Sequence, residues 1–431
     1  MSETGETTQS PKMGRIRDFL ASRRSVLRDY FTAISGSAGR LVFSLVYFIA
    51  LANTLSIADF GLFATASAAG VMLSRILSFG FISALYRVAT VRPNLIGVFT
   101  GGFLLLGLLS LPVLALAGWL VFALFFAGDL GIWIFATVVF AEALLWRPVE
   151  VVVIVNNGMG KFGRAAILVI MGTVLRAAAA LAFIFWPKHD LAAWSSFYIA
   201  ANGLSFAIAF GFFYPRQRLR FRPELYWRRL ADSIYVAGAE VLFYLQMEFD
   251  KLLVLSIGGP HLAGIYAIVM RLVDLTAIPI RTFTMMLVQK MMRTPEMLAR
   301  FGIRAGIESG VFAISTLALG ALAVLLYFFP RALGGNVSEA APLVGLALLV
   351  PAFRNLVEYH AELLFARGQT LIRAFNLALL AGFKGMLLWW ALTRLTDTAG
   401  MVLSLNLVFA ALYLASAMLT YTMLRWPAKT F

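Results

Sequence analysis

The chain has 431 residues, 61% of them hydrophobic and 13% charged, whereas a soluble domain is about half apolar and a quarter charged. This is the composition of a polytopic membrane protein. Cysteine is absent, which excludes disulfides, Cys-ligated zinc, iron–sulfur clusters and thiol catalysis. The formal net charge of +15, in so apolar a chain, reports basic loops on one membrane face rather than a nucleic-acid partner.

Met1–Ser10 is polar, and the basic segment after it precedes an apolar run too long for a signal h-region, so no cleaved signal peptide is expected. Residues 1–30 are read as a cytoplasmic N-terminal segment. Within it Met13, Ile16, Leu20 and Leu27 fall near one face of a helix over Met13–Asp29, with Arg15, Arg17, Arg23, Arg24 and Arg28 elsewhere. Such a helix either lies on an anionic leaflet or is a solvated lead-in.

Spanning helices need about 20 mainly apolar residues. That length places twelve, at roughly 31–53, 60–84, 95–119, 131–155, 165–186, 191–213, 233–257, 262–286, 307–329, 341–365, 371–393 and 399–424. The expected fold is therefore an all-α polytopic membrane protein with two six-helix lobes, 31–213 and 233–424. A basic cytoplasmic linker, 214–232, joins them, and 425–431 is a cytoplasmic tail.

With the N-terminus inside, the inner loops hold Arg87 and Arg92, Lys161 and Arg164, the run Arg216 to Arg229, Lys290 to Arg304, Arg367, and Arg425 with Lys429. The outer loops hold only Lys188, Arg331 and Arg394. That asymmetry is the positive-inside rule for short loops, and it puts both termini in the cytoplasm. No loop is long enough to fold as a separate domain, so any chemistry lies within or beside the bilayer.

The halves echo each other. Gly61-Leu62-Phe63-Ala64 after the first turn matches Gly264-Ile265-Tyr266-Ala267 after span seven. Gly160-Lys161-Phe162-Gly163-Arg164-Ala165 is echoed by Gly368-Gln369-Thr370-Leu371-Ile372-Arg373-Ala374. Arg354 follows Arg147 by 207 residues (354 − 147), and Lys384 follows Arg176 by 208 (384 − 176). Near-constant offsets imply a duplicated six-helix unit, and parallel repeats place a substrate site between halves near the midplane.

Arginine at membrane depth is costly and marks pathways. Arg40, Arg75 and Arg176 lie mid-span with no acid three or four residues away, an arrangement suited to bidentate phosphate contact. The structural alternative is pairing with an acid on another helix, such as Glu142. Arg147 with Glu150, Arg271 with Asp274, and Arg354 with Glu358 have helical i,i+3 or i,i+4 spacing and can neutralise each other. At the offset of 203, Phe243 and Ile278 stand where Arg40 and Arg75 would recur, and the second half instead has Glu240, Glu248, Asp250 and Asp274. Anionic-headgroup candidates are thus Arg40, Arg75, Arg176, Arg147, Arg354 and Lys384; coupling-ion candidates are Glu240, Asp250 and Asp274, with Asp250 expected near the outer end of its span. Pro112, Pro148, Pro279 and Pro351 are candidate kinks. His189, His261 and His360 are scattered without spaced partners, so no metal site is expected. Gly158-Met159-Gly160-Lys161 fails the phosphate-loop pattern, because Phe162 replaces Ser/Thr. No cofactor is expected, and no enzyme activity.

The turn Leu55-Ser56-Ile57-Ala58-Asp59-Phe60-Gly61-Leu62-Phe63-Ala64 resembles that of Wzx-type polysaccharide repeat-unit flippases of the MOP (multidrug/oligosaccharidyl-lipid/polysaccharide) exporter superfamily. So does Glu248-Phe249-Asp250-Lys251-Leu252-Leu253 followed by Gly264-Ile265-Tyr266-Ala267. The resemblance implies two six-helix lobes in a V, and a flippase moving an undecaprenyl-diphosphate-linked oligosaccharide across the bacterial inner membrane by alternating access. It implies a cationic cavity that Arg40, Arg75 and Arg176 would supply, and a polysaccharide polymerase and chain-length regulator as partners beside the membrane lipids. The acids of spans seven and eight depart from that uniformly cationic picture. A cation-coupled drug exporter of the same superfamily is the competing reading.

Overall fold

The computed structural model describes residues 39–293, 301–395 and 397–424. The expected amphipathic helix over Met13–Asp29 and the tail at 425–431 lie outside the described residues. Every described element is helical, as a bilayer requires of chains that satisfy their backbone groups internally. In chain order these are α1 (Gly39–Thr54), α2 (Ile57–Gly80), α3 (Ile82–Val91), α4 (Pro93–Phe125), α5 (132–158), α6 (Phe162–Ile184) and α7 (Leu191–Phe213). The second half follows with α8 (223–258), α9 (260–293), α10 (Phe301–Phe328), α11 (Gly335–Ala347), α12 (Val350–Ala366), α13 (Thr370–Arg394) and α14 (Thr398–Met423).

Among the described residues, eight stretches are long and apolar enough to cross a bilayer, or nine if α11 and α12, bent by 65°, form one span. One of the eight is a helical run interrupted at Gly259, whose φ of 77° breaks it into α8 and α9. With that break, and with α1 and α5 as spans, the order matches the twelve-helix layout. Several boundaries move. Pro223–Asp232, assigned to the linker from its charge, is helical and continues into α8. Pro112 sits inside α4 without ending it, whereas Pro351 opens α12 just after the bend.

Short polar caps set the helix starts. Ser56 accepts from the Asp59 backbone N–H at 3.1 Å and donates to the Asp59 carboxylate at 2.8 Å, so the motif turn is the N-cap of α2. Asp190 and Asp397 cap α7 and α14 in the same way. Near its end α2 unwinds over Leu77–Gly80, with Ser78 and Phe79 in the left-handed region at φ 56° and 48°. Its freed groups are taken up by α4: Ser110 Oγ accepts from the Ser78 N–H at 2.9 Å, and Ser78 Oγ donates to the Phe103 carbonyl at 2.9 Å. In α5 a wide π turn over Ala141–Trp146 re-phases the helix just before Arg147.

The halves meet along α2 and α9, and the repeated Gly-x-x-Ala motifs explain how. A Cβ on Gly61 would lie 2.4 Å from the Gly264 backbone N, and one on Gly264 would lie 2.0 Å from the Ile57 carbonyl oxygen. Only glycine permits this approach. Beside it Asn53 and Asn336 interlock. Asn53 Nδ2 donates to the Leu333 carbonyl at 2.8 Å, the Asn336 N–H donates to Asn53 Oδ1 at 3.1 Å, and Asn336 Nδ2 reaches the Ala52 and Leu55 carbonyls at 3.0 and 2.8 Å. Both contacts close the face opposite the basic loops.

Candidate functional site

On the basic-loop side the halves diverge around a cavity of about 1110 Å³. Val153 and Ile154 come from the end of α5, Tyr235 and Val236 from α8 just after its basic first turns, and Phe365 and Leu371 from the α12–α13 junction; each lies near a basic segment. The wall holds four arginines (Arg40, Arg75, Arg147 and Arg373), two glutamates (Glu150 and Glu240) and a facing of Trp146, Phe243 and Tyr244.

The charges form a chain. Arg75, 5% exposed, donates to Glu150 at 2.9 Å, and its guanidinium lies 4.0 Å from the Tyr244 ring centroid. Arg147, 3% exposed, bridges Glu150 at 2.8 Å and Glu240 at 2.7 Å. Arg373 pairs with Glu362 at 2.8 Å. Arg40 is exposed on the cavity wall, and no ion pair joins it to a described residue. Both Glu150 and Glu240 stay partly open to the cavity, so an entering anion can compete with them for donors already aimed inward.

The other candidates lie elsewhere. Arg176 borders a smaller cavity of about 220 Å³ between the halves. It donates to Asn202 Oδ1 at 2.7 and 3.0 Å, pairs with Glu142 at 3.5 Å, and stacks 4.2 Å from Trp146. Glu142 also accepts from Ser67 at 2.7 Å and from Tyr198. Arg75 and Arg176 are therefore not the uncompensated cations that helical spacing implied: each meets an acid on another helix. Arg354 faces α9, pairing with Asp274 at 3.3 Å and, at a long 3.9 Å, with Glu358. Lys384 is buried against Asp250 at 3.0 Å and the Gln246 carbonyl at 2.9 Å.

All three coupling-ion candidates are already paired with a basic side chain. Glu240 has Arg147, Asp250 has Lys384, and Asp274 has Arg281 at 3.2 Å as well as Arg354. Asp250 is 1% exposed and accepts from the Tyr266 hydroxyl at 2.5 Å, so it is a core residue. The spacing-based pair Arg271–Asp274 does not form. Arg271 donates to Ser44 Oγ on α1 instead, because Asp274 faces α12. Among the described residues no group of acids and histidines could hold a metal ion.

Sequence reasoning missed Arg373 as a cavity residue, although it lies in the Gly368–Ala374 segment that echoes the first half. The aromatic facing of Trp146, Phe243 and Tyr244 carried no local signal, since apolar residues fill every span alike.

No protein-family model matches the sequence, and no curated protein matches it. Solved structures do. An inward-facing multidrug resistance MATE family transporter of the MOP superfamily superposes with a TM-score of 0.65 at 15% identity, covering 90% of this chain and 96% of its own. An outward-facing structure of such a transporter gives 0.56 at 11% identity, over 93% and 96%. A mutant MATE transporter from Vibrio cholerae gives 0.53 at 15% identity, over 94% and 98%. The chain has the fold of the MATE transporters of the MOP superfamily.

Proposed function

We propose that this protein is an alternating-access exporter of the bacterial inner membrane that flips an undecaprenyl-diphosphate-linked oligosaccharide from the cytoplasmic to the periplasmic leaflet. The observation that carries the reading is the cavity wall, where the guanidinium groups of Arg40, Arg75, Arg147 and Arg373 surround one volume. Diphosphate oxygens accept bidentate N–H donation, and the ring faces of Trp146 and Tyr244 suit sugar or prenyl carbon. Glu150 and Glu240 hold Arg75 and Arg147 until the anion replaces them. Arg176, Arg354 and Lys384 belong to interhelical pairs and support the lobes around this site. The basic loops make the cavity mouth cytoplasmic.

A second reading has its own support. The fold neighbours are described as multidrug transporters, and Glu150 with Glu240 among aromatic rings could receive an organic cation. Reconstituted protein separates the two. The flippase reading expects translocation of a fluorescent lipid-linked oligosaccharide that is abolished in Arg40→Ala and Arg75→Ala at unchanged abundance. Efflux of a fluorescent cation, with neither arginine required, would replace it by the drug-exporter reading.

A further inference from the structure

The first lobe holds a second cavity, a groove of about 610 Å³. Three helices wall it with one apolar stripe each. Leu104, Leu108 and Leu111 come from α4, and Leu144, Pro148 and Val151 from α5, both at i, i+4 and i+7. Phe206 and Phe210 of α7, with Tyr214 just after it, form a ladder of rings whose successive centroids are 4.7 and 5.2 Å apart. The unwound end of α2 closes the back through Leu77 and Ser78, and α4 already takes up the polar groups of Ser78. Leu104 and Leu108 are 47% and 66% exposed, so the groove opens sideways to the bilayer. Helix α5 stands between it and the arginine cavity, which Arg147 and Glu150 face.

The linker builds a polar end. Residues 215–222 lie directly on the start of α4, where a Cβ on Gly97 would meet the Arg218 carbonyl oxygen at 2.3 Å. Gln217 fastens them there: its Oε1 accepts from the Gly97 N–H at 2.9 Å and its Nε2 donates to the Pro93 carbonyl at 2.9 Å. The Tyr214 and Thr100 hydroxyls share a hydrogen bond of 2.5 Å beside this strap. Arg216 borders the groove at the same end, is exposed, and no ion pair joins it to a described residue. The linker 215–222 carries four arginines and no acid.

The dimensions select the occupant. From Thr100 at the polar end to Leu111, eleven residues of α4 (111 − 100) rise about 16 Å. One leaflet of hydrocarbon is about 15 Å deep, half of a bilayer core. An apolar groove one leaflet deep, open to the bilayer and ending at a guanidinium with no carboxylate partner, matches a phospholipid. Its acyl chain lies along the leucine and phenylalanine stripes, and its phosphate accepts N–H donation from Arg216. Anionic lipids concentrate at such basic juxtamembrane segments. An undecaprenyl chain is far longer than one leaflet, and the central cavity has its own arginines for a diphosphate, so the groove fits a resident lipid and not the transported one.

We propose that this groove binds one anionic phospholipid of the leaflet on the basic-loop side, with an acyl chain between α4, α5 and α7 and the phosphate at Arg216. The test titrates full-length protein in detergent with palmitoyl-oleoyl phosphatidylglycerol or the matching phosphatidylcholine, and counts bound lipid by native mass spectrometry. One phosphatidylglycerol should bind more tightly than any phosphatidylcholine and raise the melting temperature. Arg216→Ala should weaken it about fivefold, whereas Arg228→Ala, an exposed linker arginine away from the groove, should leave it unchanged. Leu104→Trp fills the groove from its exposed side and should abolish tight binding of either lipid; Leu108→Trp serves if that variant misfolds. Equal binding of the two lipids, equal losses in Arg216→Ala and Arg228→Ala, or wild-type binding by a folded groove-filled variant would each overturn the proposal. Displacement of phosphatidylglycerol by an equal concentration of undecaprenyl phosphate would overturn it in favour of the transported lipid's tail. No transport is measured, so the result stands whether or not the flippase reading holds.

Discussion

Replacing Gly264 by alanine should drive the two halves apart on the face that is now closed. The new Cβ would sit 2.0 Å from the Ile57 carbonyl oxygen and 2.7 Å from its carbon, whereas carbon–oxygen contacts settle at about 3.3–3.6 Å. The obstacle is backbone, so no rotamer change relieves it, and α2 and α9 must separate by roughly 1 Å or more. Overpacking of this kind costs about 1–3 kcal/mol. The contact lies between halves and not inside either one, so the cost falls on the closed arrangement alone. The ratio of opened to closed molecules should then rise by roughly 5–150-fold. The chain has no cysteine, so spin labels at Ala58→Cys and Glu339→Cys, one on each half, can be introduced without other changes. The variant should gain a longer-distance population in nanodiscs. Gly61→Ala, whose Cβ would lie 2.4 Å from the Gly264 nitrogen and 2.5 Å from the Pro260 carbonyl oxygen, should do the same. Unchanged distances in both variants, at wild-type melting temperature, would show that this contact does not hold the face shut.

Three further outcomes are expected. Asn336→Ala removes the amide that reaches the Ala52 and Leu55 carbonyls and should open the same seam, read by the same label pair, without lowering the thermal stability of either lobe. Lys384→Met strands Asp250, 1% exposed, and should cost about 3–5 kcal/mol. Melting in detergent should show a large loss that the double variant Lys384→Met/Asp250→Asn largely restores. Arg147→Met leaves Glu150 and Glu240 without their shared cation, and a double-mutant cycle with Glu240→Gln should give a coupling above about 0.5 kcal/mol. A coupling near zero would mean that the 2.7 Å pair contributes nothing.

Much of the architecture was legible from the chain. Apolar run lengths placed the spans, because hydrocarbon thickness sets a minimum helix length whatever the neighbours. The duplicated Gly-x-x-Ala segments were visible as an offset of 203 residues (264 − 61), and the structure gives that offset its meaning as a backbone-to-backbone approach of the two halves. The lobe arrangement implied by the resemblance agrees with the fold found by comparison.

Charge pairing was beyond reach of the sequence. Helical spacing reports neighbours on one helix only, so it found Arg147–Glu150 but proposed Arg271–Asp274, where Asp274 in fact faces Arg281 and Arg354. Arg75 meets Glu150, Arg147 meets Glu240 and Lys384 meets Asp250 across helix interfaces. Those meetings depend on how each helix is rotated, and in α5 on a π turn that no periodicity announces. The sequence by itself determined that this chain builds two repeated helical lobes with arginine at membrane depth. Only the tertiary structure decided which arginines share one cavity and which acids already hold a cation, because a buried charge is defined by what packs against it and not by its position along the chain.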